Sequence, residues 1–361
     1  VDAAEVLVVG AGPAGAATAL NLAPFRRVAL VERREEATER IGESLSPAAR
    51  RLLADMGLLE SFLAEGHQPW HANRSVWGGP EPQETDFLRG PDGHGWHLDR
   101  ARFEGWLRDA ARRRGAALLC PATLAGAEHD GRRWRVLLET PAGPSQVTAD
   151  LLVDAGGRAA PLARRLGGRV RAFDRLVCAW LYGRDTGAAE RGLTYVEAVK
   201  DGWWYTSPLP GGRRVLAFHT DADLACARVV RRRAGLLESA GAAKELSALL
   251  DGAAFVPETE CRVTAAHGAA LEPCAGEGWL TAGDAALSFD PLSSQGLFHA
   301  LFSGLMAAEA ADRYLRGEAH GFAEYRQAMH NIGSAYRRHL AFYYAAEARW
   351  PEAPFWQRRR A

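Results

Sequence analysis

Lysine is almost missing from this chain. Of its 44 basic residues, two are lysines, Lys200 and Lys244, and the rest are arginines. Chemistry that depends on a lysine ammonium is therefore confined to two positions in the second half. Excess charge of either sign is missing too: 44 acidic residues balance the basic ones. Overall charge thus gives no reason to expect nucleic acid or a membrane surface as partner. The arginine runs 112–114, 231–233 and 358–360 read as solvated faces and a tail. The five cysteines contain no CxxC and form no even framework, which predicts buried thiols and a reducing, cytoplasmic setting. No apolar run is long enough to span a bilayer, and a strand pattern begins at once at Val6, so no signal peptide is expected. No cluster of histidine and acid has metal-ligand spacing, and Ser293-Ser294 has no His–Asp pattern to make it a nucleophile, so metal and hydrolase chemistry are not expected. Repeats and low-complexity linkers are also lacking. A chain of 361 residues, 47% hydrophobic, then suggests one large domain or two intertwined ones.

What is present starts at the first strand. Val6-Leu7-Val8-Val9 is an apolar run suited to burial on both faces, followed by Gly10-Ala11-Gly12-Pro13-Ala14-Gly15 and a helical stretch to Leu22. Gly10 permits the sharp turn, Gly12 allows a pyrophosphate to approach the backbone, and Gly15 lets the helix lie close to the strand. The helix N-terminus then presents free N–H groups to phosphate oxygens. A second strand ends in Glu32, placed to accept hydrogen bonds from ribose hydroxyls. Together these predict a dinucleotide-binding βαβ unit.

Further on, Ser46-Pro47 opens a helix to about Met56. Residues 67–97 turn rich in Trp, His, Gly and Pro, with short alternating runs such as 73–77 and 85–88 that read as strands. Asp99 caps a helix over 100–114. A second apolar strand, Leu151-Leu152-Val153, runs into Asp154-Ala155-Gly156-Gly157. Strands are expected over 176–183, 194–199, 202–207 and 213–219, and helices over 223–232 and 236–250. Segment 260–267 is expected to lead back to the nucleotide domain, and helices are expected over 294–314 and 322–348. The organisation predicted is a discontinuous nucleotide domain (1–66, 98–166 and 260–320), a substrate domain from 67–97 and 167–259, and a C-terminal helical segment, 321–361. The aromatics of that last segment (Tyr336, Phe342, Tyr343, Tyr344, Trp350, Phe355) suit either docking of a partner or packing across the chain's own domain.

A dinucleotide domain for NAD alone has no need of a distant Gly-Asp pair. Here Gly283-Asp284 follows the apolar stretch 279–282 and precedes Asp290-Pro291 and a helix. A carboxylate there suits ribityl hydroxyls, and the helix N-terminus suits negative charge on a reduced flavin ring. Arg100 is a candidate for the FAD phosphate or ribose. GAGPAG with Glu32, the helix start Arg100-Ala101-Arg102-Phe103, Asp154-Ala155-Gly156-Gly157, and Gly283-Asp284 with Pro291 together resemble FAD-dependent monooxygenases of the p-hydroxybenzoate hydroxylase fold. Gly42-Glu43-Ser44 before a helix resembles the subgroup of tryptophan halogenases and geranylgeranyl reductases. The resemblance implies an α/β fold: a Rossmann-type FAD domain (GR2, p-hydroxybenzoate hydroxylase-like) with an inserted sheet-rich substrate domain and C-terminal helices. The FAD contacts it implies are Gly10, Gly12, Pro13, Ala14, Gly15, Glu32, Arg33, Ser44, Arg100, Gly283, Asp284, Pro291, Ser294, Gln295 and Gly296.

Within that subgroup, halogenases carry a Trp-x-Trp-x-Ile-Pro block and a lysine that receives hypohalous acid. The matching block here is Trp203-Trp204-Tyr205-Thr206-Ser207-Pro208, and no lysine precedes Lys200. Segments 73–78, 94–100 and 202–205 are more similar to the flavoprotein maturases that hydroxylate tryptophan in making quinone cofactors. The resemblance then implies a monooxygenase acting on an electron-rich, indole-like ring, free or carried by a partner protein or peptide. Its oxygen would come from O₂ through a flavin C4a-hydroperoxide, and its electrons from NAD(P)H or a separate flavin reductase. Trp77, Trp96, Trp203 and Tyr205 are candidate pocket residues, with Trp203, Tyr205 and His97 as candidates for catalysis. The alternatives are a small-molecule aromatic hydroxylase or halogenase-like enzyme, a geranylgeranyl-reductase-like enzyme, and a flavin-binding partner without turnover.

Overall fold

The computed structural model describes residues 2–360 apart from 88–89, 188–191 and 319. The first apolar run is buried throughout and forms the central strand Val6–Val9. It pairs in parallel with Val28–Val31 on one side and Leu151–Asp154 on the other. Ala117–Leu119 and Trp279–Thr281 extend the same parallel sheet, and Ala275–Gly276 adds an antiparallel edge to make six strands. Helices Pro13–Leu22, Arg100–Arg113 and Gly296–Leu315 pack on one face in the largest apolar core. Helix Pro161–Arg165 and the three-stranded sheet over residues 123–149 cover the other. Glycine sets one close crossing: a Cβ on Gly304 would lie 2.5 Å from the Ala14 carbonyl oxygen.

The second body is a sheet in which strands Val256–Pro257, Leu176–Arg184, Arg213–Asp221, Gly202–Leu209, Leu193–Val199, Ala72–Val76 and Gln83–Asp86 follow in order, with Arg262–Ala265 also paired to Leu176–Arg184. Segment 260–267 therefore does not leave for the nucleotide domain at once; it first completes this sheet. Leu88, the end of one expected run, lies outside the described residues. The expected single helix over 236–250 is two, Arg233–Gly241 and Lys244–Gly252, separated where Ala243 is extended. They cover the far face of the sheet, over Leu181, Trp204 and Phe218.

Strand Gly95–His97 joins neither large sheet. It lies between Ser44–Leu45 and Gln68–Trp70 in a small sheet at the junction of the two bodies. Beyond the long helix Gly321–Ala346 the chain turns back into a short helix, Pro354–Arg360. Arg358 and Arg359 are not a solvated tail. Both pair with Asp221 at the end of the large sheet, and Arg358 also reaches Asp223. No helix among the described residues is long and apolar enough to cross a membrane.

Candidate active site

The glycine turn has the geometry its spacing predicts. Gly10 has φ 99°, and a Cβ there would sit 2.5 Å from the Ala155 oxygen. A Cβ on Gly15 would sit 1.8 Å from the Gly10 oxygen, whereas one on Gly12 would meet nothing within 4 Å. Two glycines are thus required by the protein's own packing, and the third leaves open space. The helix that follows begins with Pro13 and has no side-chain cap, so its first N–H groups, including that of Ala14, face this space. Glu32 closes the loop from the far side, accepting from the Ala11 N–H at 3.0 Å and the Arg34 N–H at 3.0 Å. Arg33 beside it is exposed.

Arg108, which the sequence pattern did not single out, holds the same loop. Buried, it donates to the Ala11 carbonyl at 3.0 Å and lies 3.6 Å from Glu32. It belongs to a stripe on helix 100–113. Arg100 pairs with Glu104 at 2.6 Å and donates to the Gly42 carbonyl, and Glu104 also faces Arg40. The i, i+4, i+8 alternation Arg-Glu-Arg was the signal for it. Arg100 Nε and Glu104 Oε2 are buried without a partner among the described residues, polar atoms that a ligand would satisfy.

The third edge comes from the distant segment. Gly283 (φ 63°) donates its N–H to Ser303, and a Cβ on it would be 2.7 Å from that of Ala14. Asp284 lies 3.5 Å from Arg158. Burial raises its carboxyl, while the positive charges of Arg158, Arg100 and Arg40 oppose the rise. Asp290 caps the short turn Pro291–Ser293, Ser294 takes φ 51°, and Gln295 and Gly296 start the helix to Leu315 with no side-chain cap. Open space at Gly12, two uncapped helix starts, the Glu32 carboxylate and orphaned buried polar atoms make a donor set that fits FAD. Asp154 is occupied otherwise, since it accepts from the Gly156, Leu162 and Ala163 N–H groups and so caps the next helix.

The large sheet turns one face toward this segment. Tyr182 donates to buried Glu43 at 2.7 Å, a carboxyl raised by burial. Tyr205 shares its hydroxyl with Ser44 at 3.1 Å and with Ser207 at 3.1 Å. The Gly42-Glu43-Ser44 loop is thereby tied to two strands of the sheet. Ile41, Tyr205, Leu292 and Leu340 are among the partly buried apolar members around this face.

Of the four aromatics expected in a pocket, Trp203 and Tyr205 share this face and Trp77 lies at its end, against Trp356 at 5.4 Å. Trp203 is buried, flat on His219 with ring centres 3.6 Å apart, and donates to Tyr344 at 3.1 Å. Burial drops His219 to about 3, so this imidazole is neutral. Trp96 lies elsewhere. It points into the nucleotide-domain core against Phe62, because the junction strand that carries it belongs to the small sheet. His97 is also removed from the flavin side: it is fully buried, bonded to Thr194 at 2.8 Å, stacked on Trp70, and lowered to about 3 by burial. A neutral, enclosed imidazole of this kind is not a proton carrier for a reaction elsewhere.

Residues 3–321 match the family described as FAD binding domain. The chain belongs to that family. It is an FAD-dependent oxidoreductase related to flavin monooxygenases. LodB of Marinomonas mediterranea, provisionally named an FAD-dependent oxidoreductase, is 31% identical over 99% of this chain and 97% of its own length. The myxobacterial chondrochloren halogenase CndH superposes with a TM-score of 0.92 at 24% identity, over 100% of this chain and 86% of CndH, a likeness of fold alone. The peptidyl tryptophan dihydroxylase QhpG, described as essential for tryptophylquinone cofactor biogenesis, superposes with a TM-score of 0.77 at 26% identity, over 99% of this chain and 79% of QhpG.

Proposed function

We propose that this protein is an FAD-dependent monooxygenase that adds oxygen to an electron-rich, indole-like ring, carried as a tryptophan side chain of a partner protein or peptide. The observation that carries the reading is the aromatic face of Tyr182, Trp203 and Tyr205 turned toward the 41–44 loop and Leu292, with no ammonium near it. Both lysines are exposed: Lys200 lies at the turn after strand Leu193–Val199, and Lys244 heads a helix on the far face. That argues against a halogenase-type lysine. The likeness to a peptidyl tryptophan dihydroxylase supports the substrate class.

The residues that would hold FAD are those around the glycine turn, Glu32, Arg100, Arg108, Asp284 and the 290–296 segment. Bound and reduced, FAD supplies the electrophilic oxygen once O₂ is present. The chain's own residues position and exclude. Tyr205, fixed by Ser44 and Ser207, offers a hydroxyl and a ring edge at the partly open part of the face. Neutral His219 stacks on buried Trp203, which fixes the packed layer beside Tyr205. Indole is electron-rich enough to need no base, consistent with imidazoles that are enclosed and uncharged.

The test uses FAD-loaded protein, O₂, and either NADPH or a separate flavin reductase as electron source. Substrates are a tryptophan-containing peptide, free tryptophan, and tryptophan with bromide. A gain of one or two oxygen atoms in the peptide is the expected result. Bromination, or reduction of an added alkene with no oxygen incorporated, would overturn it.

A further inference from the structure

A groove of about 520 Å³ lies away from the proposed flavin site, between helix Gly321–Ala346 and the three-stranded sheet of Arg169–Ala172, Ala269–Glu272 and Leu287–Ser288. None of the glycine turn, the 41–44 loop or segment 290–296 lines it. Its volume falls in the range of small-molecule sites. The floor is apolar: Leu271, Ala286, Leu287 and Met329 are buried beneath it, with the Phe173 ring at one side.

The rim is cationic. Arg171, Arg326 and Arg337 line the groove with His330, against a single carboxylate, Glu272. Arg171 and Arg326 have no carboxylate partner among the described residues, although arginines elsewhere in this chain are heavily paired. Arg337 lies over the Phe173 ring at 5.1 Å and meets no acid among the described residues. Cys274 in the floor is raised to about 11 by burial, so its thiol is neutral and adds no negative charge. Guanidinium forks bind planar oxyanions in two-point fashion. An apolar floor beneath such forks selects a body that leaves water.

We infer that this groove is a second binding site, for a small amphipathic carboxylate whose apolar body lies on the buried floor and whose head meets the guanidiniums of the rim. Charge complementarity decides the occupant. A neutral apolar molecule would leave the guanidiniums unanswered, and a bare inorganic anion would leave the floor uncovered.

The experiment is calorimetric titration of the FAD-loaded protein with dodecanoate below its micelle threshold, with 2-naphthoate as a flat carboxylate, and with acetate as head alone. Saturable binding of dodecanoate or 2-naphthoate, with none for acetate at equal concentration, is expected. Arg326→Glu and Arg337→Glu are exposed changes and should each weaken binding about tenfold or more. Glu272→Gln, which removes the one repelling carboxylate, should tighten it. FAD affinity, followed by flavin fluorescence, should stay the same in all three. No saturable heat with either carboxylate, equal affinity in the charge-reversed variants, or acetate binding as well as dodecanoate would each overturn the assignment.

Discussion

Tyr344 donates its hydroxyl to Asp290 Oδ2 at 2.7 Å while accepting the Trp203 indole N–H at 3.1 Å. The C-terminal helix is thereby joined, through one phenol, both to the turn at the flavin segment and to the substrate-side sheet. The other Asp290 oxygen accepts the Leu292 N–H at 2.9 Å.

Burial lifts the Asp290 carboxyl to about 6, above its ordinary 3.8. A raised acid stabilises the fold in its protonated form. That contribution is complete below about pH 4 and is lost as pH rises through about 6. Asp290→Asn should therefore lack this loss. Urea unfolding midpoints of the two proteins, measured from pH 4 to pH 7, should draw together or cross in favour of the variant as pH rises. A constant difference across the range would show that Asp290 is not the titrating group.

Two glycine replacements should separate packing from cofactor binding. Gly15→Val drives a side chain into the Gly10 carbonyl and should unfold the protein or lower its stability by about 3 kcal/mol or more. Gly12→Ala adds a Cβ that meets no protein atom within 4 Å, and its backbone (φ −74°) is ordinary. It should leave apoprotein melting nearly unchanged yet weaken FAD binding by about tenfold or more, read by flavin fluorescence.

Glu347 is fully buried, accepts the Gly78 N–H at 2.8 Å and takes Arg349 in a two-point pair. Glu347→Ala strands the Gly78 N–H and leaves Arg349 only its bonds to the Val76 and Ala198 carbonyls, and should cost about 3 kcal/mol. Glu347→Gln, which keeps the Gly78 bond, should cost less. Equal losses in denaturant unfolding would mean that the carboxylate charge itself is what matters.

Tyr205→Phe removes a hydroxyl shared with Ser44 and Ser207 without opening a cavity. Stability should change by no more than about 1.5 kcal/mol. In the peptide hydroxylation assay, oxygen incorporated per reductant consumed should fall severalfold as the loop and the strand lose their tie. Unchanged coupling would remove Tyr205 from the positioning role.

The parts of the fold that local chemistry determines were legible in the sequence. The apolar run Val6–Val9, the spacing of the glycine turn and the Asp99 cap are each patterns of residues a few positions apart, and the Asp99 side chain does accept from Arg102 as a cap should. What could not be read depends on partners far along the chain. Arg108 finds its acceptor at Ala11, and Arg359 finds Asp221 in a strand more than a hundred residues upstream. Trp96 was a candidate for the pocket and His97 for catalysis, and a three-residue strand carries no sign of which sheet it will join. Trp203 and Tyr205 share one face because side chains alternate along a strand. The burial of Trp203 against His219 and Tyr344 required the neighbouring strand and the C-terminal helix to be known.

The scarcity of lysine gives this molecule very few chemical addresses. Lys200 stands exposed next to Val199, whose carbonyl accepts the Trp356 indole N–H at 3.0 Å. Lys244 sits on the opposite side of the sheet, on the helix packed over its far face. An amine-directed reagent therefore reports on side chains at only two places. One of them adjoins the seat of the last helix and would sense whether that helix is docked, and the other serves as its built-in reference.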